Sequence, residues 1–279
     1  MWQSYYKSDF PAKEVLQFYG NAECRIWAAG DHFRRFSASH SQEFIAALGN
    51  ESSYHVGALL DTPFSEYTVE RVHKTSKNYK ERPQRIVHKE LVFDLDADQF
   101  VVQRAACGCG ANKEKMCNQC WSVVVDAAKT IDAALRVIYG VTKLQWCFTG
   151  GRGLHCWVLD DRFSILTVDK RKDMVHTLTH LNPESGPGRL IAYILCNVSL
   201  HGPLVLDASV TTSDCHLTRG IFSPRENGAI CIPISLGTLS RDINDIRQNV
   251  CPNVNLLKTH ASHRLALQKS IHLITCNDK

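Results

Sequence analysis

The segment Lys89–Asp96 has the sequence KELVFDLD, and it decides the fold prediction. Its apolar run ends in an alternation of acidic and apolar side chains, which is the period-two pattern of a β-strand. Because residues two apart on a strand share a face, Asp94 and Asp96 would project together while Leu95 turns into the core. Neighbouring carboxylates repel one another unless a cation lies between them. The segment therefore predicts a metal site for Mg²⁺ or Mn²⁺ at a strand end, with a plain surface turn as the alternative.

Helical and extended patterns surround this strand. Helices are predicted from apolar spacing at 12–20, 41–49, 121–138, 174–181, 189–198 and 256–274. Strands are predicted at 144–148, 155–159, 204–207 and 229–234, and a polar loop at 71–85. The fold class expected from this mixture is α/β (α+β), in which a mixed β-sheet with flanking helices carries the acids. We predict a single domain over 1–279.

Two further segments supply groups for binding a phosphate. The strand predicted at 204–207 ends in Asp207, a third acid that would complete a two-metal site. Residues 149–155 have the sequence TGGRGLH, in which the glycines let the backbone approach an anion while Arg152 and His155 donate hydrogen bonds. An ordinary hairpin tip explains this segment equally well. Beyond Asp207, His216 and Arg219 form a basic pair suited to a triphosphate.

Four of the twelve cysteines lie close together in the sequence, at Cys107, Cys109, Cys117 and Cys120. Four thiolates within such a short segment, one pair spaced as C-x-x-C, match tetrahedral Zn²⁺ ligation. A redox pair is the alternative, but no βαβ pattern surrounds it. We therefore predict a structural zinc-binding loop at 107–120. The remaining cysteines are interpreted as reduced thiols.

Composition restricts the class of protein. Lys and Arg exceed Asp and Glu by four, so any nucleic-acid surface must be local. No run of about 18 apolar residues is present to span a membrane. Met1–Asp9 lacks the apolar region of a signal peptide. We expect an intracellular protein without a membrane partner.

In their order, these motifs resemble the small, catalytic subunit of archaeal and eukaryotic DNA primases. The likeness covers most of the chain, and Lys89–Asp96 matches the catalytic strand of that family nearly letter for letter. The other matching segments are Tyr5–Lys7 with Phe10-Pro11, Arg34–Ser37, His55–Ala58, the cysteines ending in Cys120-Trp121, Thr149–Trp157, and Leu206-Asp207 with His216-Leu217, Arg219 and Phe222-Ser223.

The resemblance implies a DNA-directed RNA polymerase of the primase type, a nucleotidyltransferase that makes short RNA primers on single-stranded DNA for DNA replication. It implies two catalytic Mg²⁺ or Mn²⁺ ions on Asp94, Asp96 and Asp207, and one structural Zn²⁺ on Cys107, Cys109, Cys117 and Cys120. The nucleoside triphosphate would be bound by Thr149, Arg152, His155, His216 and Arg219. The implied partners are a primase large subunit, in a heterodimer, and a replicative DNA polymerase complex, with the nucleus as the compartment; a viral or organellar setting stays open.

This sequence departs from the family pattern at several positions. Arg35 replaces an acid found in eukaryotic members, Ala47 and Gly151 stand where basic residues are expected, and Arg225 replaces a histidine. The stretch between His155 and Asp207 is also shorter than in typical eukaryotic members, so the chain looks like a catalytic core with little added. Two alternatives therefore stay open: a primase-polymerase or repair polymerase that uses deoxynucleotides, and a zinc-braced assembly subunit with weak or no activity.

Overall fold

The computed structural model describes residues 1–63, 85–105, 107–109, 116–180, 184–194 and 204–275. Residues 71–84 of the predicted loop at 71–85, residues 110–115 of the zinc loop and the end of the predicted helix 189–198 lie outside these residues. The described chain divides into two compact units. Unit 1 comprises Met1–Lys89, Asp214–Cys231 and Asn253–Lys279, and unit 2 comprises Glu90–Ser213 and Ile232–Pro252. Whether they act as the single predicted domain stays a prediction.

The helices and strands are numbered here in chain order. The helices are α1 (Trp2–Ser8), α2 (Ala12–Tyr19), α3 (Ser41–Leu48), α4 (Val101–Ala105), α5 (Asn118–Tyr139), α6 (Asp161–Ser164), α7 (Val168–Thr179), α8 (Gly186–Ile194), α9 (Ala208–Thr212), α10 (Leu236–Leu239), α11 (Ile243–Asp245) and α12 (Ala261–Thr275). The strands are β1 (Arg25–Ala29), β2 (Arg34–Phe36), β3 (Tyr54–Leu60), β4 (Ile86–His88), β5 (Leu91–Asp96), β6 (Leu144–Phe148), β7 (Gly153–Val158), β8 (Thr218–Arg219) and β9 (Ile232–Ile234). Short 3₁₀ turns occupy Ala22–Cys24 and Ala97–Gln99, and α11 continues into a π-helical turn at Ile246–Val250.

Unit 1 is built on an antiparallel sheet with the order β2-β1-β3-β4, in which β8 also pairs with β3. An aromatic core packs against it. The Trp27 ring lies 4.7 Å from Phe44 of α3, which in turn lies 5.4 Å from Tyr54. All three side chains are fully buried. Burial of such large rings is expected to supply most of the free energy that holds α3 on the sheet.

Unit 2 is built on a second antiparallel sheet with the order β5-β7-β6-β9. Its long helix α5 begins after Cys117 and ends at Gly140, whose φ of 63° is the left-handed conformation that glycine adopts at helix ends. Buried residues along α5 include Trp121, Val124 and Ile131. This apolar face matches the amphipathic helix that the sequence predicts at 121–138.

The fold class is confirmed as α/β, with two antiparallel sheets in place of one mixed sheet. The helices at 12–20 and 41–49 and the hairpin strands at 144–148 and 155–159 are also confirmed, with shifts of a few residues at their ends. The predicted strand at 204–207 is wrong, because these residues form no ladder and lead directly into α9. Within the described residues, every helix is too short or too polar to cross a membrane.

Candidate functional site

Strand β5 places Asp94 and Asp96 at its carboxyl end. Leu91, Val92, Phe93 and Leu95 are all fully buried, so the strand is anchored by its apolar residues. The two acids alternate with Leu95 and remain partly exposed. They therefore share one face, as the sequence predicts.

Asp207 lies beside the first of these acids. Its backbone N–H donates to the carbonyl oxygen of Asp94 at 3.3 Å, so the two backbones are adjacent. The carboxylate of Asp207 caps α9 by accepting hydrogen bonds from the backbone N–H of Ser209 at 2.9 Å and from its hydroxyl at 2.6 Å. The third acid is thus fixed by a helix cap and not by a strand.

The electrostatics of Asp94 record this gathering of acids. Burial, followed by the charges of Asp96 and Asp207, raises the pKa of Asp94 to about 7. The three carboxylates nevertheless do not form a ready-made ligand set for one metal ion. Among the described residues, the cysteines are the only group of three or more potential metal ligands whose ligand atoms all lie within 4.8 Å of one another. Oxygen donors with unrelieved mutual repulsion fit a hard divalent cation, which would lower the pKa of Asp94 when bound.

The glycine-containing hairpin between β6 and β7 lies next to these acids. The Thr149 backbone N–H and hydroxyl both donate to the Gly153 carbonyl oxygen at 3.1 Å, which closes the loop. Gly153 pairs with Asp96 across the sheet, and a Cβ there would lie 2.9 Å from the carbonyl oxygen of Leu95. Glycine is therefore required for the close approach of β5 and β7.

The two basic side chains of the hairpin contact the acids directly. Arg152 donates through Nε to Asp96 Oδ1 at 3.2 Å and through Nη2 to Asp98 Oδ2 at 2.6 Å. The Nε2 atom of His155, which is buried, lies 3.7 Å from Asp94 Oδ1. The hydrogen-bond donors predicted to bind phosphate are thus held beside the carboxylates predicted to bind metal.

Arg247 is a further cation at this hairpin, and the sequence interpretation missed it. Its guanidinium donates through Nη2 and Nε to the Gly151 carbonyl oxygen at 2.9 and 3.2 Å. Burial lowers the pKa of Arg247, and the charge of nearby Arg152 adds to this effect. Arg247 therefore brings positive charge from a distant part of the chain to the loop position where the family pattern has an arginine and this chain has Gly151.

Arg171 of α7 joins the elements that carry the acids. The residue is 1% exposed, and its guanidinium donates to carbonyl oxygens of Glu90 at 3.3 Å and Thr211 at 3.4 Å. Glu90 precedes β5 and Thr211 belongs to α9. The Thr211 hydroxyl also donates to the Val92 carbonyl oxygen at 2.8 Å. These bonds fix the base of β5 against the helix that Asp207 caps.

The four predicted zinc ligands converge. The Sγ atoms of Cys107, Cys109, Cys117 and Cys120 all lie within 4.8 Å of one another. Tetrahedral ligation with Zn–S bonds of about 2.3 Å requires S···S separations of about 3.8 Å, so small adjustments bring all four to a zinc ion. The Cys117–Cys120 separation is 3.7 Å. Tetrahedral thiolate sets of this kind bind zinc in structural sites, and the geometry fits a closed one.

His216 and Arg219 belong to unit 1, where β8 pairs with β3. Arg219 lies opposite His55 in this pairing and donates to the Pro224 carbonyl oxygen at 2.8 Å. Burial, followed by the charges of Arg219 and His216, lowers the pKa of His55 to about 3. His55 is therefore neutral at physiological pH, in surroundings that favour an anion.

Unit 1 also contains buried polar atoms that have no hydrogen-bond partner among the described residues. They are the Tyr6 hydroxyl, Ser53 Oγ, His55 Nδ1 and Thr218 Oγ1. Buried polar groups are normally paired, so such a set indicates that water or a ligand completes their bonds. Two of the four belong to the β3–β8 pairing that carries Arg219. The sequence interpretation gave none of these four atoms a binding role, and their burial is visible only in the structure.

The chain matches a family model described as the DNA primase small subunit, over residues 93–272. This match includes the acids of β5 and α9, the hairpin, the cysteines, His216 and Arg219.

Curated proteins of the same description are similar to the chain. The small subunit from Saccharomyces cerevisiae is 28% identical over 199 residues, which cover 67% of this chain and 46% of that protein. The subunit from Drosophila melanogaster is 40% identical over 91 residues, covering 32% and 20%. The archaeal subunit PriS from Archaeoglobus fulgidus is 27% identical over 140 residues, covering 47% and 39%. The matched segments thus span less than half the length of these relatives.

Proposed function

The chain belongs to the DNA primase small subunit family, and on that premise we propose that it is a primase catalytic core, which makes short RNA primers on single-stranded DNA by nucleotidyl transfer. The observation that carries the proposal is the gathering of Asp94, Asp96 and Asp207 at one place in unit 2. Burial, followed by the charges of the other two acids, raises the pKa of Asp94 to about 7. This charge distribution suits a reaction in which negative charge on phosphate must be neutralised.

Unit 2 supplies the proposed chemistry. Asp94, Asp96 and Asp207 would hold two Mg²⁺ or Mn²⁺ ions, which would activate the 3′-hydroxyl of the bound nucleotide and neutralise the departing pyrophosphate. The buried anchoring of β5 and the bonds made by Arg171 keep these carboxylates in place. Positioning of this kind supplies most of the rate in phosphoryl transfer, and no protein nucleophile is required.

The hairpin residues are proposed to bind the incoming triphosphate. Arg152 offers a planar fork of donors, and His155 offers a further donor beside Asp94. Thr149 holds the loop closed through Gly153. Arg247 adds positive charge at the Gly151 carbonyl. For unit 1, we propose that His216 and Arg219 bind nucleotide phosphate. We also propose that water or ligand completes the hydrogen bonds of four buried atoms that have no partner in the described part of the chain, on Tyr6, Ser53, His55 and Thr218.

The cysteine cluster is proposed to hold one structural Zn²⁺, because four protein thiolates leave no open position for a substrate. The relatives are named as small subunits, which supports a heterodimer with a large subunit. We propose association with a replicative polymerase complex on the family resemblance alone. We propose a nuclear location on the same family grounds.

The test is primer synthesis from labelled ribonucleotides on poly-dT with Mg²⁺ or Mn²⁺, with and without a primase large subunit. We would compare the intact chain with the Asp94→Ala/Asp96→Ala variant. The matched control is Asp169→Ala/Asp173→Ala, which removes two exposed acids from α7. Short products are expected from the intact chain and the control and not from the Asp94→Ala/Asp96→Ala variant.

The other outcomes separate the alternatives. Longer products from deoxynucleotides than from ribonucleotides would favour a primase-polymerase. Failure of the intact chain under all conditions would favour the assembly subunit. Equal product from the intact chain and the Asp94→Ala/Asp96→Ala variant would contradict the assignment of the metal site.

A further inference from the structure

A continuous chain of side-chain contacts in unit 2 joins the cysteine cluster to the acids of β5. Asp98 lies at its centre and uses both carboxylate oxygens. Its Oδ1 accepts from Arg104 Nη1 at 2.9 Å, and its Oδ2 accepts from Arg152 Nη2 at 2.6 Å. Arg152 then reaches Asp96 Oδ1 at 3.2 Å. No motif identified in the sequence includes Asp98 or Arg104.

Burial limits the motion of the Arg104–Asp98 ion pair within this series of contacts. The side chain of Arg104 is 2% exposed and that of Asp98 is 19% exposed. An ion pair withdrawn from water is costly to break when one partner is removed, because the other charge then remains buried. The Asp98 backbone N–H also donates to Asp96 Oδ1 at 3.1 Å, within the capping box that follows β5. Asp98 therefore has little freedom to move.

The cysteine cluster holds Arg104, the residue at the other end of this series of contacts. The Arg104 carbonyl oxygen accepts from Cys107 Sγ at 3.1 Å, and the Arg104 guanidinium forms a side-chain hydrogen bond with Cys120. Groups that hydrogen-bond to thiolate ligands are fixed in position by a closed metal site. The side chain of Arg104 is thus tied to the cluster through Cys120, which can still accept from the guanidinium as a thiolate, whereas the bond from Cys107 requires a protonated thiol.

We propose that Asp98 is a positioning residue that, anchored through Arg104 to the cysteine cluster, holds the guanidinium of Arg152 at the hairpin for a nucleoside triphosphate. The proposal rests on the proposed function and extends it to two residues and to a role for the cysteine cluster. Arg152 shares its donors between Asp96 and Asp98. When a divalent cation takes up the charge of Asp96, the bond to Asp98 would still hold Arg152 at the hairpin.

Asp98→Asn tests this arrangement with little change in shape. The amide replaces one of the two carboxylate oxygens with an NH2 donor and removes the negative charge, so the two arginines, which bond different oxygens, can no longer both keep a charged acceptor. We would measure binding of a fluorescent nucleoside triphosphate in the presence of Mn²⁺, which requires no turnover. The affinity of Asp98→Asn is expected to fall about tenfold, the loss typical of one hydrogen bond to a charged group. In primer synthesis, the same variant should raise KM for the nucleotide more than it lowers kcat.

A double-mutant cycle separates positioning from a general structural effect. In the Arg152→Ala background, Asp98→Asn is expected to change nucleotide affinity no further, because the group it positions is gone. Asp160→Asn is the matched control, since Asp160 also accepts hydrogen bonds from a loop, at Thr142, but lies outside the contact chain. It should leave nucleotide affinity unchanged. Zinc content and circular dichroism would establish that each variant is folded.

The outcomes distinguish this inference from the proposed function. If the intact chain binds no nucleoside triphosphate with Mn²⁺, the proposed function fails. If the intact chain binds and Asp98→Asn binds equally well, the positioning role is refuted while the proposed function stands. Equal losses from Asp98→Asn with and without Arg152 would also refute it. Arg104→Ala repeats the test from the cysteine side, and its effect should likewise vanish in the Arg152→Ala background.

Discussion

Replacing Asp94 with Asn should make the metal-free protein more stable and abolish its response to divalent cations. The carboxyl group of Asp94 has its pKa raised from 3.8 to about 7 by burial and by its acidic neighbours. Folding therefore binds a proton between these pH values, so this group's contribution to stability falls as the pH rises from about 4 to 7. Asparagine is neutral at every pH and removes the penalty.

The magnitude follows from the size of the pKa change. Each unit corresponds to about 1.4 kcal/mol, so the ionised carboxylate destabilises the metal-free fold by at most about 4 kcal/mol at pH 8. Water and side-chain relaxation reduce this, and a gain of about 2 kcal/mol is expected for Asp94→Asn. For a chain of this size, that raises Tm by about 4–8 °C. At pH 5, about one unit above the unfolded pKa, the same relation gives a penalty roughly two-fifths as large, so the gain should be correspondingly smaller.

Thermal unfolding at pH 5 and pH 8, with and without Mn²⁺, measures each of these quantities. Wild-type protein should gain stability from Mn²⁺ at pH 8, by about 1.4 kcal/mol at ten times the dissociation constant. Asp94→Asn should gain none. Asp169→Asn, at a side chain that is 90% exposed, is the control. A variant less stable than wild type at pH 8, or one still stabilised by Mn²⁺, would show that Asp94 does not lie in a cation site.

Three further predictions concern the surrounding structure. Cys117→Ser should lower the zinc content measured by atomic absorption, because a ligand of the thiolate set is lost, whereas Cys215→Ser, at an exposed thiol outside the cluster, should retain full zinc. Gly153→Ala should lower the free energy of unfolding in urea by about 1–3 kcal/mol, because its Cβ would lie 2.9 Å from the Leu95 carbonyl oxygen. In the control Gly186→Ala, the added Cβ meets no atom within 4 Å, so this variant should be as stable as wild type or more stable. Arg171→Ala should cost about 3 kcal/mol or more in urea unfolding, since it removes the buried guanidinium that donates to the carbonyl oxygens of Glu90 and Thr211. A loss under 1 kcal/mol would contradict that role.

The error at 204–207 shows where pattern alone fails. The sequence LVLD alternates too little to separate a short strand from an extended connection. In the structure Asp207 caps α9 instead, because its carboxylate accepts from Ser209 and its backbone N–H donates to Asp94. A side chain that bonds the start of a helix competes with a strand ladder. The acid was identified correctly as a neighbour of Asp94, but the element that carries it was not.

The sequence by itself determined the strand that ends in Asp94 and Asp96, the hairpin with Arg152 and His155, and the cysteine group. Each depends on periodicity or spacing within a few residues, so local order along the chain contains the information. Only the tertiary structure decided that Arg247 contacts Gly151 and that Asp98 bridges two arginines. The contact of Arg247 with Gly151 joins residues that the packing of separate elements brings together. The two bonds of Asp98 depend on the direction in which the turn after β5 points its short side chain. Neither has a periodic signature, since long-range contacts follow from the burial of whole faces and not from the residues that meet there.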